Sequence, residues 1–348
     1  MKTLGDDIFD PKILDRARGC LLGQFIGDAF GSQVEFMTAN MIKQKYPNGL
    51  TKMANGGRHN SLAGELTDDS EMCLCLIDAC LKSKTYNLIE TLKNYVHWLN
   101  TGPTDIGTTT LGALEEAREV LIKYDDNKAV LSFIKNKPES PSQANGALMR
   151  ISPLAIFGLN CDTDILVKWA IEDAHLTHVN KVCYDANAVY VIALQTAINT
   201  GDPQLAYNKS VKWAADNNCS KSILDTIIKA ETELPTEYYK QMGWVLIALQ
   251  NAFHYLCNPV SFEEVIIKTA HASGDTDTNC CIAGALIGAI KGASTFPEEW
   301  IETVLNCKPD KSNPICKKPR PKEFWANNAL DMVDKLLAIG YMASQKEK

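Results

Sequence analysis

The 348-residue chain has no uncharged apolar stretch approaching the ~18 residues a membrane span needs, so no membrane-crossing segment is expected. Asp6, Asp7 and Asp10 stand where a secretion signal would place its apolar segment, which points to an intracellular, cytoplasmic protein. Positive charge is also in deficit: 35 basic against 42 acidic residues give a formal charge of −7, with no long-range attraction to nucleic acid or to an anionic membrane. The one dense basic run, Lys317, Lys318, Arg320 and Lys322, is broken by Pro319 and Pro321 and reads as a solvated loop. No C-x-x-C pair occurs among the 12 cysteines, which removes the usual basis for a zinc site. Many of them, such as Cys20, Cys73, Cys183 and Cys281, sit inside apolar runs and read as buried free thiols rather than a disulfide scaffold. There is no Gly/Ser/Pro-rich or charged linker and no repeat of fixed period, so a single domain over 1–348 is expected, with its motif-bearing core at about 11–343.

What is present is an ordinary globular composition, 45% hydrophobic and 22% charged, arranged almost wholly with helical periodicity. Strand-like alternation is hard to find, and the expected fold class is all-α, a compact multi-helix domain. Asp10-Pro11 starts the first helix, whose apolar pattern runs through Ile13, Leu14, Ala17, Leu21 and Leu22. Further helices are expected near 69–82, 87–100, 109–122, 163–175, 180–199, 242–256, 262–271, 278–291 and 325–341, with loops at 47–66, 136–146 and 306–321. Ser261 and Glu264 form a capping box. The helix after Thr278 carries Ala283, Gly284, Ala285, Gly288 and Ala289, small residues that let another backbone approach closely, so it should lie centrally.

Two segments crowd carboxylates and hydroxyls at helix edges: Thr67-Asp68-Asp69-Ser70 and Gly274-Asp275-Thr276-Asp277-Thr278. Either could be an ordinary N-cap, but a cap needs one oxygen and each segment offers at least three. If the fold joins them, like charges about 4 Å apart would repel by ~4 kcal/mol per pair at an effective dielectric near 20, and the cluster must take up protons or cations. An all-oxygen donor set of this kind suits hard ions such as Mg²⁺, Mn²⁺ or Ca²⁺, and four carboxylates suffice for two of them.

The ordered set of G-C-L-L-G-Q-F-I-G-D-A-F-G-S-Q-V-E-F (19–36), G-E-L-T-D-D-S-E-M (64–72), N-G-A-L-M-R (145–150), Thr177-His178 and G-D-T-D-T (274–278) resembles the ADP-ribosylglycohydrolases, all-α enzymes with a binuclear Mg²⁺ or Mn²⁺ centre. Val34 to Thr38, Glu71-Met72, Asp105 to Thr109 and Gly243 to Val245 are most similar to the dinitrogenase reductase-activating branch, which removes ADP-ribose from arginine. Departures are mild: Gln33 replaces a usual Pro or small residue, Ser70 a frequent Thr, and Ala272-Ser273 precede the last Gly.

The resemblance implies that Thr67, Asp68, Asp69, Asp275, Asp277 and Thr278 hold two divalent cations, and that Glu35 and Asp105 are the catalytic carboxylates. It further implies that Asn145, Gly146 and His178 contact substrate and that Trp244 stacks on adenine. Read without it, Glu35 would be a solvent-facing carboxylate, Asp105 and Asn145-Gly146 turn residues, His178 a satisfied helix-start histidine and Trp244 a core aromatic. Arg150 either helps hold the anionic ligand or pairs with a carboxylate inside the fold. The expected reaction is hydrolysis at the anomeric carbon of the distal ribose, through an oxocarbenium-like state. The partner is an ADP-ribosylated protein or an ADP-ribose-containing small molecule, with no nucleic acid or membrane, and a monomer is favoured. Serine-linked or free ADP-ribose derivatives as substrates, or a catalytically silent ADP-ribose-binding protein, are the competing expectations.

Overall fold

The computed structural model describes residues 9–345. Its elements are α1 (Pro11–Gly31), α2 (Ala39–Lys45), α3 (Asp68–Ser83), α4 (Leu88–Asn100), α5 (Thr108–Lys123), α6 (Asn127–Lys135), α7 (Ser152–Phe157) and α8 (Thr163–Thr177). The second half contains α9 (Lys181–Thr200), α10 (Pro203–Asp216), α11 (Lys221–Lys229), α12 (Val245–Cys257), α13 (Phe262–His271), α14 (Thr276–Lys291), α15 (Glu298–Asn306) and α16 (Ala329–Ser344). Among the described residues there is no strand beyond two isolated bridges, Gly56 with Ser61 and Ala144 with Trp244, and the fold is all-α. No helix among them is long and apolar enough to cross a membrane. The signal-region residues Asp6 and Asp7 lie outside the described residues.

The long helices fall where their periodicity places them, and Ser261 and Glu264 make both bonds of the capping box on α13. Six helices were not anticipated: α2, α6, α7, α10, α11 and α15. Most are two or three turns long, too short for a 3.6-residue period to emerge, and α7 is buried on every side, so it has no polar face to alternate with. Cys20, Cys73, Cys183 and Cys281 are buried free thiols.

The fold is organised around α1 and α14, which run antiparallel with their backbones in contact. Gly19, Gly23, Gly27 and Gly31 face Gly288, Gly284, Cys280 and Thr276, and a Cβ at any of the four would lie 2.1 to 2.3 Å from the opposing carbonyl oxygen. A glycine every fourth residue forms one stripe along α1, and only hydrogen at that stripe permits this approach. α1 is buried from Gly19 onward and α14 along all but its last two residues. The antiparallel register brings the C-terminal end of α1 to the N-terminal end of α14, so the segment carrying Glu35 meets the segment carrying Asp275.

The basic run at 317–322 departs from the solvated-loop expectation. Lys317 and Lys322 are exposed, but Arg320 is 4% exposed and its Nε and Nη2 donate to Glu71 Oε1 and Oε2 at 2.7 and 2.8 Å. A buried guanidinium needs a carboxylate, and Glu71 on α3 supplies it.

Candidate functional site

The C-terminal third of α1 sets the geometry. Asp28, fully buried on α1, accepts hydrogen bonds from the backbone N–H of Thr67 and of Ser70 at 3.1 and 3.2 Å, and the Thr67 hydroxyl donates to it at 2.8 Å. These amides are the orphan donors at the start of α3, which has no capping bond from its own Thr67 side chain. Because Asp28 caps α3 from outside, Asp68 and Asp69 are released from capping. The N-cap reading of this segment therefore fails, and it fails again at α14, where Asp275 occupies the cap position without a side-chain cap bond.

The turn before α14 is fixed equally firmly. Gly274 has φ +77°, and a Cβ there would lie 2.1 Å from Tyr238 O; its carbonyl accepts the Phe36 N–H at 2.7 Å. Thr276 Oγ1 donates to Gly31 O at 2.8 Å. These bonds hold Glu35 beside Asp275, and the Glu35 side chain is 1% exposed, not solvent-facing.

The result is a cleft of about 820 Å³ whose lining includes Glu35, Asp68, Asp69, Asp105, Asn145, Gly146, His178, Asp275, Asp277 and Thr278. Ten of the twelve singled-out residues thus meet in one cleft. Thr67 lies behind it, its hydroxyl 3.2 Å from Asp69 Oδ2. Trp244 is absent from the wall: it is partly buried against the core, its indole N–H donates to Gln143 Oε1 at 2.9 Å, and Tyr239, Met242 and Gly243 line the cleft instead. Arg150 does not reach the cleft lining; it is fully buried and bonded to Asp173 at 2.9 Å, which settles its alternatives in favour of the internal pair.

Electrostatically the floor is unbalanced. Asp68, Asp69 and Asp277 have carboxyls pushed well above the usual range, first by burial and then by repulsion from neighbouring carboxylates. No ion pair among the described residues involves them or Asp275. Asp69 Oδ1 is buried without a hydrogen-bond partner, an arrangement that costs free energy unless something else satisfies the oxygen. An all-oxygen, negatively charged, under-satisfied set is the donor chemistry a hard divalent cation requires. Asn145 steadies one member, its amide donating to Asp275 Oδ2 at 2.7 Å.

At the rim, Glu35, His59 and Asp105 form the one trio of ligand-type groups among the described residues whose atoms lie within 4.8 Å of one another. His59 Nε2 is 3.2 Å from Glu35 Oε2 and 3.5 Å from Asp105 Oδ2. Hydrogen bonds to Asp105 and Glu35 raise the imidazole to about 10. Burial alone would raise Asp105, but its bond to His59 prevails and holds it below the ordinary range, whereas burial keeps Glu35 above it. The sequence reading passed over both His59 and Asp28. Nothing local marks His59 in its turn-rich loop, whereas a charged residue inside the apolar stretch around Asp28 was a usable signal.

His178, 1% exposed, lies behind Gly146, where a Cβ would come 3.0 Å from its Cε1. Burial, followed by the charges of Arg150 and Lys137, lowers its imidazole to about 3, so it is neutral at the working pH. The Thr177 hydroxyl is 2.8 Å from its Nδ1.

Comparison with known proteins bears on the family and the fold. The profile of the ADP-ribosylglycohydrolase family matches residues 10–329. The chain is 28% identical to the ADP-ribosyl-[dinitrogen reductase] glycohydrolase of Rhodospirillum rubrum, over 84% of this chain and 90% of the relative. It is also 28% identical to the ADP-ribosylarginine hydrolase Tri1 of Pseudomonas putida, over 84% and 74%. A solved structure described as an ADP-ribosylglycohydrolase-related protein complex superposes with a TM-score of 0.71 at 23% identity, covering 95% of this chain and 99% of that one, which speaks to the fold. With a family profile spanning nearly the whole described chain, an all-α fold in common and the motif carboxylates gathered at one cleft, the chain belongs to the ADP-ribosylglycohydrolase family.

Proposed function

We propose that this enzyme hydrolyses ADP-ribose from arginine side chains of modified proteins, with two divalent cations, Mg²⁺ or Mn²⁺, held by Thr67, Asp68, Asp69, Asp275, Asp277 and Thr278. The observation that carries the reading is the convergence of buried aspartates without a basic partner on one side of a cleft whose rim bears Glu35 and Asp105. Four carboxylates and two threonine hydroxyls supply enough oxygens for two ions. Such ions, when bound, supply Lewis acidity and lower the pKa of water.

The chain's own residues perform the rest. Asn145 keeps Asp275 oriented, and Gly146, having no side chain, lets His178 and Thr110 pack against it at the cleft wall, where ribose and pyrophosphate oxygens would lie. Neutral His178 offers a hydrogen-bonding edge without adding charge, while Tyr239 and Met242 present the apolar surface an adenine needs. Departure of a guanidine requires a proton on the leaving nitrogen. His59 Nε2 holds a proton between Glu35 Oε2 and Asp105 Oδ2, so both carboxylates can relay it to that nitrogen. The name of the Pseudomonas relative, an ADP-ribosylarginine hydrolase, supports the arginine linkage, and that of the Rhodospirillum relative supports a modified protein as substrate.

The test is incubation with arginine-linked and serine-linked ADP-ribosylated proteins, each with Mg²⁺, with Mn²⁺ and after chelation. Release of ADP-ribose from the arginine conjugate alone, lost on chelation, is the expected result. Equal or greater release from serine reassigns the substrate, and activity that survives exhaustive chelation removes the metal role.

A further inference from the structure

We propose that Arg320 is a positioning residue that fixes Asp105 relative to Asp68 and Asp69, a role that rests on reading the cleft as a hydrolase site. Asp105 sits on the 101–107 segment, which leaves α4 through Gly102 at φ +67°. Carbonyls at such a helix end have no partner within their own helix. Here three successive carbonyls are taken up by one remote segment: Arg320 Nη1 donates to Thr101 O at 3.3 Å and Gly102 O at 3.2 Å, and Lys318 Nζ donates to Pro103 O at 2.7 Å. Arg320 Nη2 also donates to the Thr101 hydroxyl at 2.9 Å.

The other edge of the same guanidinium grips Glu71, which lies three residues beyond Asp68 and so one turn along α3. Glu71 is braced by the Trp98 indole at 2.6 Å. Arg320 is itself anchored through its backbone, its N–H donating to Pro309 O at 2.7 Å and its carbonyl accepting from the Trp325 indole at 3.0 Å. One planar fork therefore spans the helix that starts with Asp68 and Asp69 and the turn that ends in Asp105. An ammonium cannot reproduce this, because it is a point charge with no rigid plane to reach both sides.

The experiment uses the full chain loaded with Mn²⁺ and an arginine-linked ADP-ribosylated protein. Arg320→Lys, which keeps the charge beside Glu71, is expected to lower kcat about tenfold or more, since displacement of a reacting group by about 1 Å can cost that much. KM and Mn²⁺ affinity by calorimetry should stay within about twofold of wild type, and backbone amide exchange at 101–107 should rise even without substrate or metal. In an Asp105→Asn background, single-turnover rates should show that Arg320→Lys costs less than about twofold more, because its effect passes through Asp105. Lys318→Met, a change at an exposed side chain that spares the fold, should give a smaller fall in kcat of the same kind. An unchanged kcat in Arg320→Lys, an equal loss in the Asp105→Asn background, or unaltered exchange at 101–107 would overturn the proposal. If wild type itself releases no ADP-ribose, the hydrolase reading fails, and the exchange measurement still decides whether Arg320 holds the segment.

Discussion

Two sets of buried carboxylates, which meet within one turn of α3, are treated in opposite ways. Glu71 and Asp173 are each matched by a buried arginine, Arg320 and Arg150, with the second pair also accepting the Tyr95 hydroxyl at 2.8 Å. Among the described residues, no cation of the chain is paired with Asp68, Asp69 or Asp277. A matched pair is neutral overall and tolerates burial, whereas an unmatched cluster must take up protons or, on the proposal above, cations. The contrast separates the carboxylates that hold the molecule together from those proposed to receive a ligand.

The comparison is broken most directly at Asp277. Asp277→Asn keeps shape and removes charge, and it is expected to reduce turnover by about a thousandfold or more, as loss of a group central to transition-state stabilisation does; a steady-state assay with Mn²⁺ checks this. Under chelation the same variant should melt slightly higher than wild type by calorimetry, because repulsion at the floor is relieved. The matched set should respond in reverse. Arg150→Met leaves Asp173 charged and alone, and a loss of about 3–5 kcal/mol of stability by urea unfolding is expected.

Mn²⁺ at a hundred times its dissociation constant should stabilise the wild type by about 2.7 kcal/mol in the same assay, and Asp69→Asn should abolish most of that gain. Acid sharpens the picture through His178. Its folded value, about 3, lies below the unfolded value of about 6.5, so the unfolded chain binds the extra proton between them. The stability it contributes is complete above pH 6.5 and is lost as pH falls toward 3. His178→Gln should therefore flatten the acid limb of a urea-midpoint series from pH 7 to 4. The smallest effect is expected at the adenine end, where Tyr239→Ala should weaken ADP-ribose binding by about 1 kcal/mol and Trp244→Phe by less than half of that, measured by calorimetry.

The sequence carried the carboxylates further than their partners. Asp68, Asp69, Asp275 and Asp277 could be found because excess oxygens at a helix start have no structural purpose there. The long helices were legible for a similar reason, since one stripe of small or apolar residues repeats over five turns in α1. Asp202-Pro203 at the start of α10 repeats the Asp10-Pro11 signal of α1, and the Asp202 side chain caps Leu205 N–H in the same manner; the signal was there, but the polar helix behind it gave little period to confirm it. Arg320 was misread because charge and flanking prolines describe a loop's composition and not its burial, which depends on Glu71 far away in the chain. His59 and Trp244 fall under the same rule: whether a side chain enters a cleft is decided by the neighbours that tertiary packing brings, and neither residue's own segment records it.

The glycine-to-backbone contact of α1 with α14 has a consequence for synthesis. As the chain leaves the ribosome, α1 emerges long before α14, and its partner surface is complete only after residue 291 has been added. Until then the stripe of hydrogens on α1 faces nothing that fits it, Gly31 lacks Thr276 and Glu35 lacks its neighbour. The cleft is therefore completed only once α14 has been made, and a nascent chain stalled before it leaves the apolar face of α1 without its cover.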